Sequence, residues 1–334
     1  MTKLSTILLS VAAVLGAVSC DAFHTVSSNS VTSQGAPYEL IVVANQPQWE
    51  GELGDSLRAV LTAPIPYLQQ TEPFFDVLRV TNQGYNNLVT KHRNILVNNI
   101  DPTLKETSAS VQYNIYATPQ VIVTISGATE QDITKYLSDN RAEIVEVLER
   151  AERDRAIDYA SKFDIKSLSS LIESKFGFEM KIPAGYTLRN EEDNFLWLSY
   201  EYPTASQGII IYKYPAVDGM KSLTAENLTA ARNRFTALVP GPSDGSYMTT
   251  FMDYTPDYRT FRLDGRLWAE MHGLWEVDGD FMGGPFVSYS TLDTTTGEVV
   301  TIDCYVFSPK LPKRNFVRGV EHLIYNVKFP DLKK

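Results

Sequence analysis

The chain has 334 residues, 43% of them hydrophobic and 21% charged, which is ordinary globular usage. Its 40 acidic residues outnumber its 30 basic ones, for a net charge of −10. That balance excludes a nucleic-acid-binding protein, because phosphate recognition needs a face of clustered Lys and Arg. It also disfavours adhesion to anionic lipid through side chains alone.

Lys3 precedes an apolar run of small residues, Ile7 to Val18, broken only by Ser10, and Ala17-Val18-Ser19-Cys20 follows. The run is shorter than the roughly 20 apolar residues that cross a bilayer. A charged start, a short apolar core, small residues and then cysteine is the layout of a secretory signal ending in a lipobox. Cleavage after Ser19 and acylation of Cys20 with palmitate-type chains are therefore expected. Each buried CH₂ contributes about 0.8 kcal/mol to membrane holding, so one chain is marginal and three are not. The membrane is then a partner through Cys20, and the location is the cell envelope, with the outer membrane expected.

With Cys20 lipidated, Cys304 is the other cysteine of two, and no intramolecular disulfide can form. Histidines stand at 24, 92, 272 and 322, in no HExxH or H-x-H pattern, and there is no CxxC. No metal and no cofactor are expected.

Residues 1–19 read as signal peptide and 20–37 as a polar tether, with order starting at Tyr38. The remainder exceeds what one core supports, so a division into 38–163 and 164–334 is expected. Tyr38 to Ala44 is a buried strand by its dense apolar run. Asp55 is the N-cap of a short helix stopped by Pro64 and Pro66. Phe74 to Val80, Asn94 to Ile100 and Gln120 to Ser126 read as strands, with a polar loop opening at Asp101-Pro102. Thr129 and Asp132 form a capping box that opens one long helix reaching Phe163. Its charged run ERAERDRAID reads as a solvated face.

Lys166 to Phe176 is helical and ends at Gly177. Strands follow at Asn194 to Tyr202 and Gly208 to Tyr214, then a helix over Thr224 to Val239. Arg259 to Leu263, Arg266 to Val277, Phe286 to Leu292 and Val299 to Phe307 complete the strands. Thr296-Gly297 makes the last hairpin turn. A final helix spans Lys313 to Tyr325. The predicted class is α+β, with two domains, each a mixed or mainly antiparallel sheet with helices on one side.

The residues that bear chemistry crowd into 268–286. Trp268, Glu270 and His272 share one strand face, and Glu276, Asp278 and Asp280 follow. Carboxylates beside aromatic rings are what glycan recognition or hydrolysis needs. Gly283-Gly284-Pro285 reads as a loop that lets backbone approach something closely. A ligand or partner surface is accordingly placed at Trp268, Glu270, His272, Gly283 and Gly284. No catalytic residue is assigned. Cys304 lies among Ile302 and Val306 on an apolar strand face, the usual setting of an inert cysteine. Lys91-His92-Arg93 is a basic triplet suited to a helix end.

The start ending in Cys20, the stretch PYELIVVANQPQWEGELGDSLRAVLTAPIP (37–66), KHRNIL (91–96), NFLWL (194–198) and MGGPFVS (282–288) together resemble an uncharacterised family of Bacteroidetes-type cell-envelope lipoproteins. That resemblance implies an envelope location and transfers no catalytic residue. Residues 165–330 also resemble PsbP-like domains, through FEMKIPAGY, IIIYKY and LPKRNFVRGVEHLIYNVKF. Those are extracytoplasmic α+β modules, mostly binding or assembly factors. The expected function is a non-enzymatic binding or assembly factor whose partner is an envelope protein or glycan. The alternatives are an envelope glycan hydrolase using acids of 270–280, and a carrier with an apolar pocket between the domains.

Overall fold

The computed structural model describes residues 31–330. Residues 1–19, read above as a signal peptide, and Cys20, read as a lipidation site, lie outside them. Seven α-helices and thirteen strands form two sheets among the described residues, an α+β architecture.

The first sheet contains β1 (Glu39–Val43), β2 (Asp76–Val80), β3 (Asn94–Ile100), β4 (Ser108–Tyr113) and β5 (Val121–Gly127) in the order β2-β1-β3-β5-β4. All its pairings are parallel except β4 with β5, so the sheet is mixed. Parallel neighbours need crossovers that cover a face. Here the crossover helix α2 (Glu52–Leu61) covers that face together with α3 (Glu130–Asp139) and α4 (Arg141–Lys162), which follow the last strand of the sheet. Leu53, Leu57, Ile133, Leu137, Ile144 and Leu148 meet Leu40, Val42, Leu96 and Val123 in one core.

Several local expectations are corrected here. The chain is docked before Tyr38, because Thr32 and Gln34 make parallel bridges to Thr118 and His92. The short helix starts at Glu52 behind Gly51 rather than at Asp55, and a preceding turn of helix, α1 (Gln46–Glu50), has its own capping box. The polar loop after Asp101 contains strand β4. Its residues are largely exposed, so it carries no apolar pattern that a reading by burial could detect. The expected single helix over 129–163 is two, broken at Asn140, which leaves helical geometry and donates its side-chain amide to the Tyr136 carbonyl. Asn competes with helix in this way.

The second sheet is antiparallel. It contains β6 (Thr187–Glu192), β7 (Phe195–Glu201), β8 (Ser206–Pro215), β10 (Asp257–Leu263), β11 (Arg266–Asp278), β12 (Gly283–Asp293) and β13 (Glu298–Phe307) in the order β10-β11-β12-β13-β8-β7-β6, with the short β9 (Tyr247–Thr250) also on β11. One face packs against α5 (Lys166–Phe176) and α7 (Arg314–Ile324), through Leu168, Ile172, Val317, Val320 and Leu323. The reverse face carries α6 (Ala225–Thr236), through Leu228, Ala231 and Phe235. A third layer thus covers this sheet, and its inner strands β8, β12 and β13 are buried on both sides, which is why they read as continuous apolar runs, whereas the edge strands β6 and β10 stay largely exposed. Gly177 ends α5 in the left-handed region at φ 77°, and Gly297 turns the last hairpin at φ 71°.

A buried charge pair fixes α6. Arg232 and Asp303 are both fully buried, with Nε donating to Oδ2 at 2.8 Å and Nη2 to Oδ1 at 3.3 Å. Nη1 also donates to Thr250 Oγ1, and the guanidinium lies 3.6 Å from the Phe286 ring centroid. Removing one partner leaves an uncompensated buried charge. Arg232→Met should therefore cost about 3–5 kcal/mol in urea unfolding, and adding Asp303→Leu should recover most of it. A double variant no more stable than the single one would show that the pair is not what holds α6.

Candidate functional site

The loop from Pro64 to Phe75 leaves the first sheet and inserts Ile65, Tyr67 and Leu68 into the core beneath α7. Glu72, on this loop, caps α7: its two carboxylate oxygens accept from the backbone N–H groups of Lys313 and Arg314 at 2.7 and 2.8 Å. A carboxylate at a helix N-terminus satisfies unpaired donors and complements the dipole. Arg314 reaches back to Asp76 and to the Pro73 carbonyl. One helix is thereby shared between the two halves of the chain.

Along α7 runs a cluster of buried charges. Arg318 pairs with Glu321 at 3.1 Å and with Glu149 of α4 at 2.9 Å. Glu321 accepts from the Tyr289 hydroxyl at 2.8 Å. From β11, Glu270 accepts two hydrogen bonds from Arg259, at 2.7 and 2.9 Å. His272 Nε2 lies 2.8 Å from Glu270 and 3.5 Å from Glu321. Its N–H direction is aligned with neither oxygen, so the contact is an ion pair rather than a formed hydrogen bond. Tyr67 covers the imidazole at 4.1 Å between centroids, and its own buried hydroxyl has no partner among the described residues.

Strand alternation did place Trp268, Glu270 and His272 on one face, but that face is interior. Trp268 is 2% exposed and packs against Phe329. It belongs to the core, with an edge that also lines a surface cavity of about 760 Å³. Glu270 is 1% exposed. Gly283 and Gly284 are not in a loop; they begin β12. A Cβ on Gly284 would stand 2.1 Å from the Val306 carbonyl oxygen. The close approach read from the glycines is therefore made to the neighbouring strand, not to a ligand. Glu276 lies six residues along the same strand from Glu270, roughly 20 Å away. Partly exposed Asp280 accepts from Ser243. The acids of 270–280 are not gathered. The carboxylate that does meet Glu270 and His272 is Glu321, about fifty residues distant in sequence and without any local motif to reveal it.

The ligand atoms of Glu270, His272 and Glu321 lie within 4.8 Å of one another, so a divalent cation has a geometrical place there. Charge argues for a proton instead. Three carboxylates (Glu149, Glu270, Glu321) face two guanidiniums (Arg259, Arg318), and a protonated His272 closes the balance. Burial alone would lower the imidazole, but the Glu270 and Glu321 carboxylates outweigh it and raise its pKa to about 9. Burial likewise disfavours the Glu321 carboxylate, and Arg318 with His272 overcomes this and holds it well below the usual range.

Lys91-His92-Arg93 does not form a free basic patch. His92 pairs with Glu39 at 2.6 Å and Arg93 with Glu152 at 2.8 Å. Cys304 is 1% exposed, burial pushes its thiol up, and its Sγ faces the Val320 carbonyl.

Beside the cluster a cleft of about 490 Å³ opens between the two sheets. Tyr159 of α4, Tyr186, Tyr200 of β7, Tyr202 and Phe316 of α7 wall it. Tyr200 and Tyr202 stack at 4.3 Å, and Phe316 meets Tyr202 edge-on at 5.3 Å. Arg93, Glu152, Arg155 and His322 line its polar side. His322 is held neutral, its pKa lowered by burial to about 3, and its Nε2 lies 3.0 Å from the Tyr38 hydroxyl. The sequence signal for this cleft is faint: aromatic residues spread over four segments that only folding brings together.

Folding favours protonated His272, so its contribution is complete below about pH 6.5 and fades as pH rises to about 9. Its full size is about 3 kcal/mol. Urea unfolding across that window should show stability falling with pH, and His272→Gln should flatten the slope. An unchanged slope in the variant would place the titration elsewhere. Native Cys304 should resist iodoacetamide at mildly alkaline pH and react only on unfolding; rapid native labelling would contradict its burial.

No helix among the described residues is long and apolar enough to cross a membrane. No curated protein matches the chain. Among solved structures, a chain named as a point mutant of protein Mog1 is similar over 46% of this chain and 92% of its own, at 13% identity and a TM-score of 0.30. A likeness at that score decides nothing. Residues 33–160 match the family described as "Domain of unknown function (DUF8532)", and residues 166–326 the family described as "Domain of unknown function (DUF4837)". The chain therefore joins two domains of unknown function in series, the first similar to one family and the second to the other.

Proposed function

We propose that this protein is a lipid-anchored binding factor of the cell envelope, held through acyl chains on Cys20, and that it works without catalysis. The aromatic cleft between the two halves is its ligand or partner seat. The observation that carries this reading is the cleft itself: stacked rings with a few polar groups are the make-up of a binding site. The charge cluster supports it from the other side. Its carboxylates are buried in ion pairs, whereas hydrolysis of a glycan needs two carboxyl groups about 5–10 Å apart in an open groove. The signal layout ending in Cys20 supports the envelope location.

The full chain with its leader, purified from membranes, should carry a radiolabelled fatty acid that Cys20→Ala lacks. In native mass spectrometry it should retain envelope material, a glycan, peptide or lipid fragment, which Tyr202→Ala loses. Incubation with purified cell wall should release no soluble fragments. Release that Glu270→Gln abolishes would replace this reading with the hydrolase, and absence of label would remove the anchor.

A further inference from the structure

The polar side of the cleft is short of negative charge. Arg93 and Arg155 share one carboxylate, that of Glu152, at 2.8 and 3.0 Å. No other carboxylate lines the cleft among the described residues. Glu152 is already heavily used: its Oε1 also accepts from the Tyr38 backbone N–H at 3.2 Å and from Asn94 Nδ2 at 2.7 Å. Arg155 spends its Nη1 on Asn94 Oδ1 and its Nη2 on the Arg93 carbonyl, each at 2.8 Å. The Nε–H groups of both arginines are buried and have no acceptor among the described residues. Arg155 has only 9% of its side chain exposed. Burial of a guanidinium is costly unless anions compensate it, and here the compensation is incomplete. Burial, with the neighbouring Arg93 charge adding to it, lowers the Arg155 pKa to about 10. In a protein of net charge −10, such a local excess of positive charge is out of pattern.

The same cleft is lined by the stacked rings of Tyr200 and Tyr202 with Phe316. Rings of this kind receive a flat or CH-rich body, an aromatic plane or the face of a sugar. The two halves of the cleft are complementary: one takes an anion, the other a ring.

We infer that the interdomain cleft binds a small ligand made of a ring bearing a carboxylate, with the acid group toward Arg93 and Arg155 and the ring against Tyr200 and Tyr202. A planar carboxylate suits guanidinium donors better than a spherical anion does. This rests on the reading of the cleft as a binding seat and adds the chemistry of what fills it. An aromatic acid and an acidic sugar share that chemistry, and affinity separates them.

Isothermal titration of the full mature chain would use two matched pairs of probes. One is indole-3-propionate against its amide; the other is N-acetylmuramic acid against its methyl ester. At least one acid should bind about tenfold more tightly than its neutral partner, and the pair that shows this identifies the ring. Arg155→Gln should erase the preference. Because Arg155 also braces Asn94 and the Arg93 carbonyl, that variant must first melt like the wild type. Tyr202→Ala, at the half-buried rim, leaves both arginines in place and should weaken acid and neutral probe alike. Equal binding of acid and neutral probe overturns the carboxylate assignment and leaves the cleft as a seat for something neutral. A preference that survives in Arg155→Gln and Arg93→Gln also overturns it. So does failure of all four probes to bind at about 10 mM, and the material retained in native mass spectrometry then decides the wider reading by itself.

Discussion

The ion pairs and hydrogen bonds that α7 makes in both directions are what the rest of the structure depends on. Glu72 and Asp76 of the first half hold its N-terminus. Glu149 of α4 takes Arg318 at its middle, and Tyr38 takes His322 near its end. On its other side Glu321 reaches Tyr289 and His272 of the second sheet. A helix satisfied from two domains at once cannot leave one without exposing charges to a low-dielectric interior, and that is expensive. The apolar residues Ile65, Tyr67 and Leu68 add burial to the joint, at roughly 2 kcal/mol for each large side chain.

Such a joint is chosen for geometry more than for strength. A buried ion network often contributes no more than well-packed hydrocarbon of the same shape. Its groups have directions, however, and each misplaced partner strands a charge. The network therefore fixes how the first sheet sits on the second. That orientation sets the width of the tyrosine-lined cleft, since Tyr159 comes from one side and Tyr186, Tyr200 and Phe316 from the other. A cleft walled by two domains keeps one shape only when a joint of this kind holds them.

Legibility in the sequence followed burial. The strands buried on both faces, such as β8 and β13, stood out as unbroken apolar runs, and Gly177 and Gly297 marked their helix end and hairpin. Strand β4 escaped because its side chains are mostly exposed and its ladder is held by backbone. The break at Asn140 escaped because the apolar stripe continues across it. Trp268, Glu270 and His272 were correctly grouped on one face, yet whether that face met water was decided by α7, more than forty residues later. Polar residues on a strand face suggest solvent until a helix supplies their counter-charges.

By itself the sequence determined the α+β class, most of the main elements and the apolar setting of Cys304, all properties carried by neighbours along the chain. Tertiary structure alone decided that Glu321 completes the Glu270–His272 pair, that Gly284 serves strand contact, and that two arginines share one glutamate beside a wall of tyrosines. The physical reason is range: periodicity and turn chemistry act over a few residues, whereas charge balance and cleft shape are set by groups that meet only when distant segments pack.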